Sequence, residues 1–222
     1  MTDLNGSTAF KNIQQAIDAS EKGDTIKSAE GTYHPTQKIA EVYGGSTHPA
    51  TPTGDRHRSF LLKKDIRLFG GFPSTVTDDA TMDIRDWERY QTILSGDFNE
   101  DDGDNFENTD ENALHVVVML NATPGMMLDG FSIMGGGGTD SFNVFIYGIP
   151  IDHECGGGIY AFSDILSSSV ISNAVIRNNK VEGDGAGFFN YSNGIASPPL
   201  IKEIMLPNVA KISGCAIYNY GR

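Results

Sequence analysis

Three stretches in the second half of the chain repeat one pattern of apolar, aromatic and small residues: GGIYAFS (157–163), AGFFNYS (186–192) and CAIYNYG (215–221). They superpose without gaps at a spacing of 29 residues, giving the columns Ile159/Phe188/Ile217, Tyr160/Phe189/Tyr218, Ala161/Asn190/Asn219 and Phe162/Tyr191/Tyr220. The segments between them keep that register. ISNAVIRNNKV (171–181) lies over LIKEIMLPNVA (200–210), with Ile171 on Leu200, Val175 on Ile204, Ile176 on Met205 and Asn179 on Asn208. An earlier copy, LDGFSIMGG (128–136), matches ISNAVIRNN at an offset of 43 residues, and the surplus of 14 fits an insertion around 139–155.

The runs are short, β-branched and aromatic, and Gly, Asn, Ser and Pro break them with no helical period between, which is the pattern of strands. A period of about 20 to 50 residues marks stacked units, none able to bury its apolar face alone. Helical solenoids do not fit, leucine-rich repeats need a recurring leucine that is absent, and propeller blades need a longer period. The pattern predicts an all-β chain, a parallel β-helix in which like residues stack in ladders about 4.8 Å apart.

The first half reads as a cap and less regular coils of the same single domain, 1–222. A helix is predicted over 7–22, with Ser7 or Thr8 as N-cap, Phe10, Ile13, Ala16 and Ile17 on one apolar face and Gly23 as its stop. Placed ahead of the first coil, it would cover an otherwise unpaired edge. Early coils with long loops follow over 24–138, with strand-like runs at 24–33, 59–72, 91–98 and 115–120, and regular coils over 156–222. The long polar loops Thr36–Arg58 and Pro73–Tyr90 are where binding function tends to sit on a regular scaffold.

Charge narrows the partners. A net charge of −13 opposes sequence-independent binding of nucleic acid and of anionic membrane surfaces. No window approaches the roughly 18 apolar residues of a membrane span, and Met1-Thr2-Asp3 opens no export signal. The two cysteines, Cys155 and Cys215, stand two residues out of register two coils apart, so about 10 Å separates their α-carbons and two free, largely buried thiols are predicted.

The motifs NIQQAIDAS, EGTYHP, SFLLKKDIRLFGGF, TILSGD, LDGFSIMGG and the three repeats, in this order, resemble a family of exported right-handed β-helix proteins of the Bacteroidetes with the pectate-lyase-like fold. The resemblance covers nearly the whole chain. It implies a right-handed parallel β-helix, secreted or attached to the outer surface of a Gram-negative bacterium. Such a scaffold carries lyases, hydrolases and adhesins alike, so function has to come from a site.

The densest polar cluster is SGDFNEDDGDNFENTDEN (95–112), where Asp97, Asn99, Asp101 and Asp104 offer oxygens at alternating positions and Gly103 permits a sharp turn, as Ca²⁺ requires. It is not an EF-hand, whose sixth and twelfth places are held here by Asp102 and Asn108. A solvated acidic loop is the alternative. A uronan lyase needs a cation and a basic residue to remove the proton beside the substrate carboxylate, for which Arg177 and Lys180 are candidates, with Arg56, Arg58, Lys63, Lys64 and Arg67 in the first half. Spacing fixes no acid and base together, so these also read as ordinary surface residues. Asp129, Asp152, Glu154 and Asp184 belong to no glycosidase motif, and the adjacent His153, Glu154 and Cys155 do not converge as metal ligands.

The columns led by Tyr160 and Phe162 share one face of their strands. Beside small residues they read as interior packing; turned outward, Tyr160 and Tyr191 with Arg56 and Arg58 would contact a ligand. The expectation is therefore a protein that binds polysaccharide or another surface polymer, with a Ca²⁺-assisted lyase and a non-catalytic adhesive stalk as rivals. The apolar last coil, with Ile217, Tyr218 and Tyr220, predicts end-to-end self-association.

Overall fold

A computed structural model describes residues 9–38, 46–47, 54–62, 65–75, 82–121, 123–139, 143–163, 169–192, 200–201 and 204–221. The helix is shorter than the sequence suggests. It spans α1 (Ile13–Ala19), because Asn12 is the residue whose side chain accepts from the free N–H groups of Gln14 and Gln15, at 2.7 and 3.3 Å. Ser7 and Thr8 lie outside the described residues, and Phe10 stands exposed before the helix. At the other end Ser20, already extended, bonds back to Ala16 O through its hydroxyl at 2.6 Å and stops the helix ahead of Gly23.

Successive passes of the chain add one strand each to three parallel sheets. The first holds β1 (Thr25–Ala29), β5 (Arg67–Phe72), β8 (Met127–Asp129), β14 (Val170–Ser172) and β18 (Leu200–Ile201). The second holds β2 (Gly31–Tyr33), β6 (Thr92–Ser95), β9 (Phe131–Met134), β15 (Val175–Ile176) and β19 (Ile204–Met205). The third holds β4 (Phe60–Leu62), β7 (Val117–Leu120), β13 (Ile159–Ser163), β17 (Phe188–Ser192) and β21 (Ile217–Gly221). A short fourth sheet joins β10 (Gly137–Gly138), β16 (Lys180–Val181) and β20 (Val209–Ala210).

The pairing follows the repeat residue for residue. Tyr160 faces Phe189 and Phe189 faces Tyr218; Ile171 faces Leu200; Ile176 faces Ile133 on one side and Met205 on the other. The 14-residue surplus is spent on an antiparallel hairpin, β11 (Asn143–Ile146) and β12 (Ile149–Asp152), edged by β3 (Ser46–Thr47).

Strand alternation divides the apolar residues between two cores. Leu68, Leu94, Leu128, Ile133, Ile159, Ile171, Ile176 and Phe188 point between the three sheets into one cluster. The alternate residues of the third sheet, Leu61, Val118, Tyr160, Phe162 and Phe189, point away from it and are buried instead under the hairpin residues Val144, Ile146, Ile149 and Ile151. The aromatic columns are thus packed, but in a second core that the insertion supplies. Beyond the hairpin's cover Tyr191 and Tyr218 are half-buried and Tyr220 is 44% exposed.

Polar groups inside the stack are matched from pass to pass. Asn179, fully buried, accepts from Gly136 N–H (2.9 Å) and donates to Arg177 O and Asn208 Oδ1 (3.0 Å each), while Asn208 donates to Ile176 O and Leu206 O (3.0 and 2.8 Å). At the first edge Gln14 of α1 takes the place of a neighbouring strand, its side chain accepting from Leu61 N–H (2.8 Å) and donating to Leu61 O (3.4 Å). At the other edge, Ile204, Leu206, Val209, Ile212 and Ile217 are exposed. Cys215 lies on this edge and is exposed, against expectation, because its pass pairs on one side only; Cys155 is buried, and both thiols are free. Among the described residues no helix is long and apolar enough to cross a membrane.

Candidate functional site

The loop Pro73–Tyr90 carries the chain's single tryptophan, Trp87, and the segment around it is tightly held. Asp86 folds it into a turn, its carboxylate accepting from the N–H groups of Glu88 (3.2 Å) and Arg89 (3.0 Å) while its own N–H bonds Gly71 O at 2.8 Å. Arg85 ties the turn to the first sheet: Nε donates to Gly70 O at 2.6 Å, the guanidinium lies 5.2 Å from the Phe69 ring centroid, and Nη2 pairs with buried Asp129. Asp129 also accepts from Ser172 Oγ and from Asn173 Nδ2.

Two glycines let the turn sit close. Gly71 (φ 92°) and Gly130 (φ 79°) adopt the left-handed backbone that glycine tolerates, and a Cβ on Gly71 would stand 2.7 Å from Trp87 Cα. Between the turn and the outward column of the second sheet runs a groove of about 200 Å³, lined by Trp87, Glu88, Gln91, Ser132, Val175 and Ile204 among others. Trp87 is half-buried, and among the described residues no ring stacks on its indole. Glu88 is the one charged residue among the described lining.

The acidic loop makes a second candidate. Carboxylate oxygens of Asp97, Asp101 and Glu111 lie within 4.8 Å of one another. Buried Asp97 organises the loop by accepting from the N–H groups of Asp101 (3.2 Å) and Asp102 (3.1 Å). Burial raises the Glu111 carboxyl above its usual range, and neighbouring Asp101 and Asp97 add to it; its Oε1 is buried with no hydrogen-bond partner among the described residues. Asp102 is pushed up to about 6, chiefly by burial, although Asn112 Nδ2 donates to both of its oxygens. Such a cluster favours a hard cation, which would relieve the crowding of like charge. Of the expected ligands, Asp97 and Asp101 take part; Asp104 is exposed outside the converging group, and exposed Asn99 contributes its backbone N–H to Glu111. Glu111 was not among the expected ligands because only the fold of the 97–112 loop returns it to Asp97.

The remaining sequence candidates do not form a site. Arg56 is committed to structure: Nε donates to Asn112 O (2.8 Å) and Nη2 to Gly137 O (2.5 Å) and Thr139 Oγ1 (3.0 Å). Arg58 pairs with Asp55 at 2.6 Å and lies 5.5 Å from the Phe98 centroid. Tyr160 is buried. Tyr191 has Phe162 stacked on one side and Tyr220 on the other, at 5.3 and 5.1 Å, so neither face of its ring is free for a sugar. Arg177 and Lys180 are half-buried and line neither the groove nor the acidic cluster; Lys63 and Lys64 lie outside the described residues, and Arg67 is exposed on β5. Trp87 escaped the sequence reading because it belongs to no repeat column, although the loop that carries it was singled out. Compared with protein-family models, curated proteins and solved structures, the chain matches none.

Proposed function

We propose that this chain is a right-handed parallel β-helix of an exported or surface-attached protein of the Bacteroidetes type, and that it binds a neutral polysaccharide in the groove beside Trp87. The recurring order of strands through the three sheets supports the fold. The observation that carries the function is the groove itself, an indole with no ring stacked on it among the described residues, beside hydroxyl, amide and carboxylate side chains, on one face of a sheet. Sugars are held by this combination, an aromatic face under the C–H surface and polar groups around the hydroxyls. A polyuronate is disfavoured both by Glu88 in the groove and by the net charge of −13, and the lyase's basic candidates Arg177 and Lys180 lie outside the groove. The non-catalytic binder is therefore preferred to the lyase.

A single tryptophan makes the test direct, since intrinsic indole fluorescence reports this groove alone. Neutral oligosaccharides are expected to shift and saturate the emission, uronate oligomers to bind more weakly, and Trp87→Ala to weaken retention on a neutral polysaccharide gel by at least about thirtyfold, the effect of losing an aromatic anchor worth about 2 kcal/mol. Preferential binding of uronates with release of an unsaturated, ultraviolet-absorbing product would establish the lyase instead.

In the same reading Asp97, Asp101 and Glu111 hold a structural Ca²⁺ that fixes the 97–112 loop. Adding Ca²⁺ at 100 times its dissociation constant is expected to stabilise the protein by about 2.7 kcal/mol. Thermal unfolding should show the shift in the parent and lose it in Glu111→Gln; an equal shift in both would leave the loop as a solvated acidic turn.

A further inference from the structure

Three of the chain's five histidines, far apart in sequence, meet beneath the β11–β12 hairpin. His57 ends a 3-10 turn (Asp55–His57), His115 precedes β7 and His153 follows β12. The His57 and His153 ring centroids are 4.9 Å apart and those of His115 and His153 are 5.3 Å apart. With Ser59, Leu114, Val144 and Ile151 they line a cavity of about 10 Å³, room for one water molecule or one ion.

Two of the rings carry nitrogens with nothing to bond among the described residues. His115 Nδ1 lies 3.1 Å from Gly156 O. A carbonyl only accepts, so the proton sits on Nδ1 and Nε2 keeps its lone pair. That Nε2 and the Nδ1 of His153 are both buried without a hydrogen-bond partner among the described residues. Leaving two such groups empty is costly. The arrangement at His115, one ring nitrogen held by a backbone carbonyl and the other bare, is how proteins orient an imidazole toward a metal.

We propose that His57, His115 and His153 bind one Zn²⁺ ion, which clamps the hairpin and the 55–57 turn to the third sheet. On a tetrahedral ion with Zn–N bonds of about 2.0–2.1 Å, the centroids of two imidazole ligands fall about 5.2 Å apart. The observed spacings of 4.9 and 5.3 Å match this. In their present rotamers the three rings do not bring their nitrogens together as closely as the carboxylates of Asp97, Asp101 and Glu111 are brought. Closure requires a ring to turn about χ2, a broad torsion. Ser59 or a water completes the fourth position. Arg56 is the neighbouring cation that opposes a second charge, but its guanidinium is held by Asn112 O, Gly137 O and Thr139. Burial pushes His115 down to about 4 and His153 down to about 2, and the neighbouring histidines add to this. Both rings are therefore neutral at pH 7, the state a metal needs. Imidazole selects a transition ion over Ca²⁺, which sets this site apart from the acidic loop.

The test titrates metal-free full-length protein with Zn²⁺ and with Co²⁺. One ion per chain is expected, with the visible bands of tetrahedral cobalt and no competition from Ca²⁺. His115→Gln and His153→Gln should each weaken binding by at least about tenfold, while Asp101→Asn leaves it unchanged. Since a buried histidine variant can fail to fold, the parent protein supplies an independent measurement: Zn²⁺ should move the imidazole resonances of His57, His115 and His153 and spare that of His34, which pairs with Glu100. Absence of binding, binding that the histidine variants do not weaken, or a resonance shift at His34 instead would overturn the proposal.

Discussion

Asp129→Ala is expected to remove about 3–5 kcal/mol of folding stability, the cost of leaving a buried charge without its partner. Asp129 is 7% exposed and the Arg85 side chain 11%, so water cannot replace the lost carboxylate. Ser172 and Asn173 lose their acceptor at the same time. Against the roughly 5–15 kcal/mol that holds a typical domain folded, the change is large, and urea unfolding monitored by circular dichroism measures it. The double variant Arg85→Met with Asp129→Leu should recover much of that stability, because apolar residues of similar volume often replace a buried ion pair without loss. It should not recover the sugar binding proposed for the groove. Arg85 also ties the Trp87 turn to Gly70 O, and that bond is absent in the double variant. Sugar binding restored along with stability would show that the ion pair does not position the groove.

Asn179→Ala is expected to cost about 2–4 kcal/mol, since an unsatisfied buried donor or acceptor costs about 1–3 kcal/mol and this carboxamide serves several. Gly136 N–H loses its acceptor, and Arg177 O and Asn208 Oδ1 each lose a donor. Asn208→Ala, the equivalent change one pass later, should cost distinctly less. Neighbouring Leu206 and Val209 are exposed there, so water can take the place of Asn208 at Leu206 O, although Ile176 O stays buried. Equal losses in chemical denaturation would mean that the stack is stabilised by apolar burial alone and that the asparagine ladder adds nothing specific.

Much of the fold was legible because a repeat turns sequence spacing into spatial register. Once Tyr160, Phe189 and Tyr218 fall in one column, parallel pairing of their strands follows, and the 14-residue surplus locates the insertion that folds as the hairpin. The helix start was misplaced because Ser7, Thr8 and Asn12 are all good caps, and only the position of Ile13, Ala16 and Ile17 against β1 and β4 selects among them. The site was less legible. The acidic loop announced itself by composition, yet Glu111 joins it only through the loop's path. The loop bearing Trp87 could be marked for function by its length alone, whereas the groove needs Gly71, Gly130 and the Arg85–Asp129 pair to seat the indole beside the second sheet.

By itself, then, the sequence determined the strand pattern, the parallel register, the insertion and the free thiols, all consequences of local period and of which residues recur at 29-residue intervals. The tertiary structure alone decided which side of the third sheet the aromatic columns occupy, because alternation says that two residues share a face and not what covers that face. It alone also brought His57, His115 and His153 together. Contacts between residues 38 to 96 positions apart depend on how a hairpin closes over a sheet, and no local spacing encodes that.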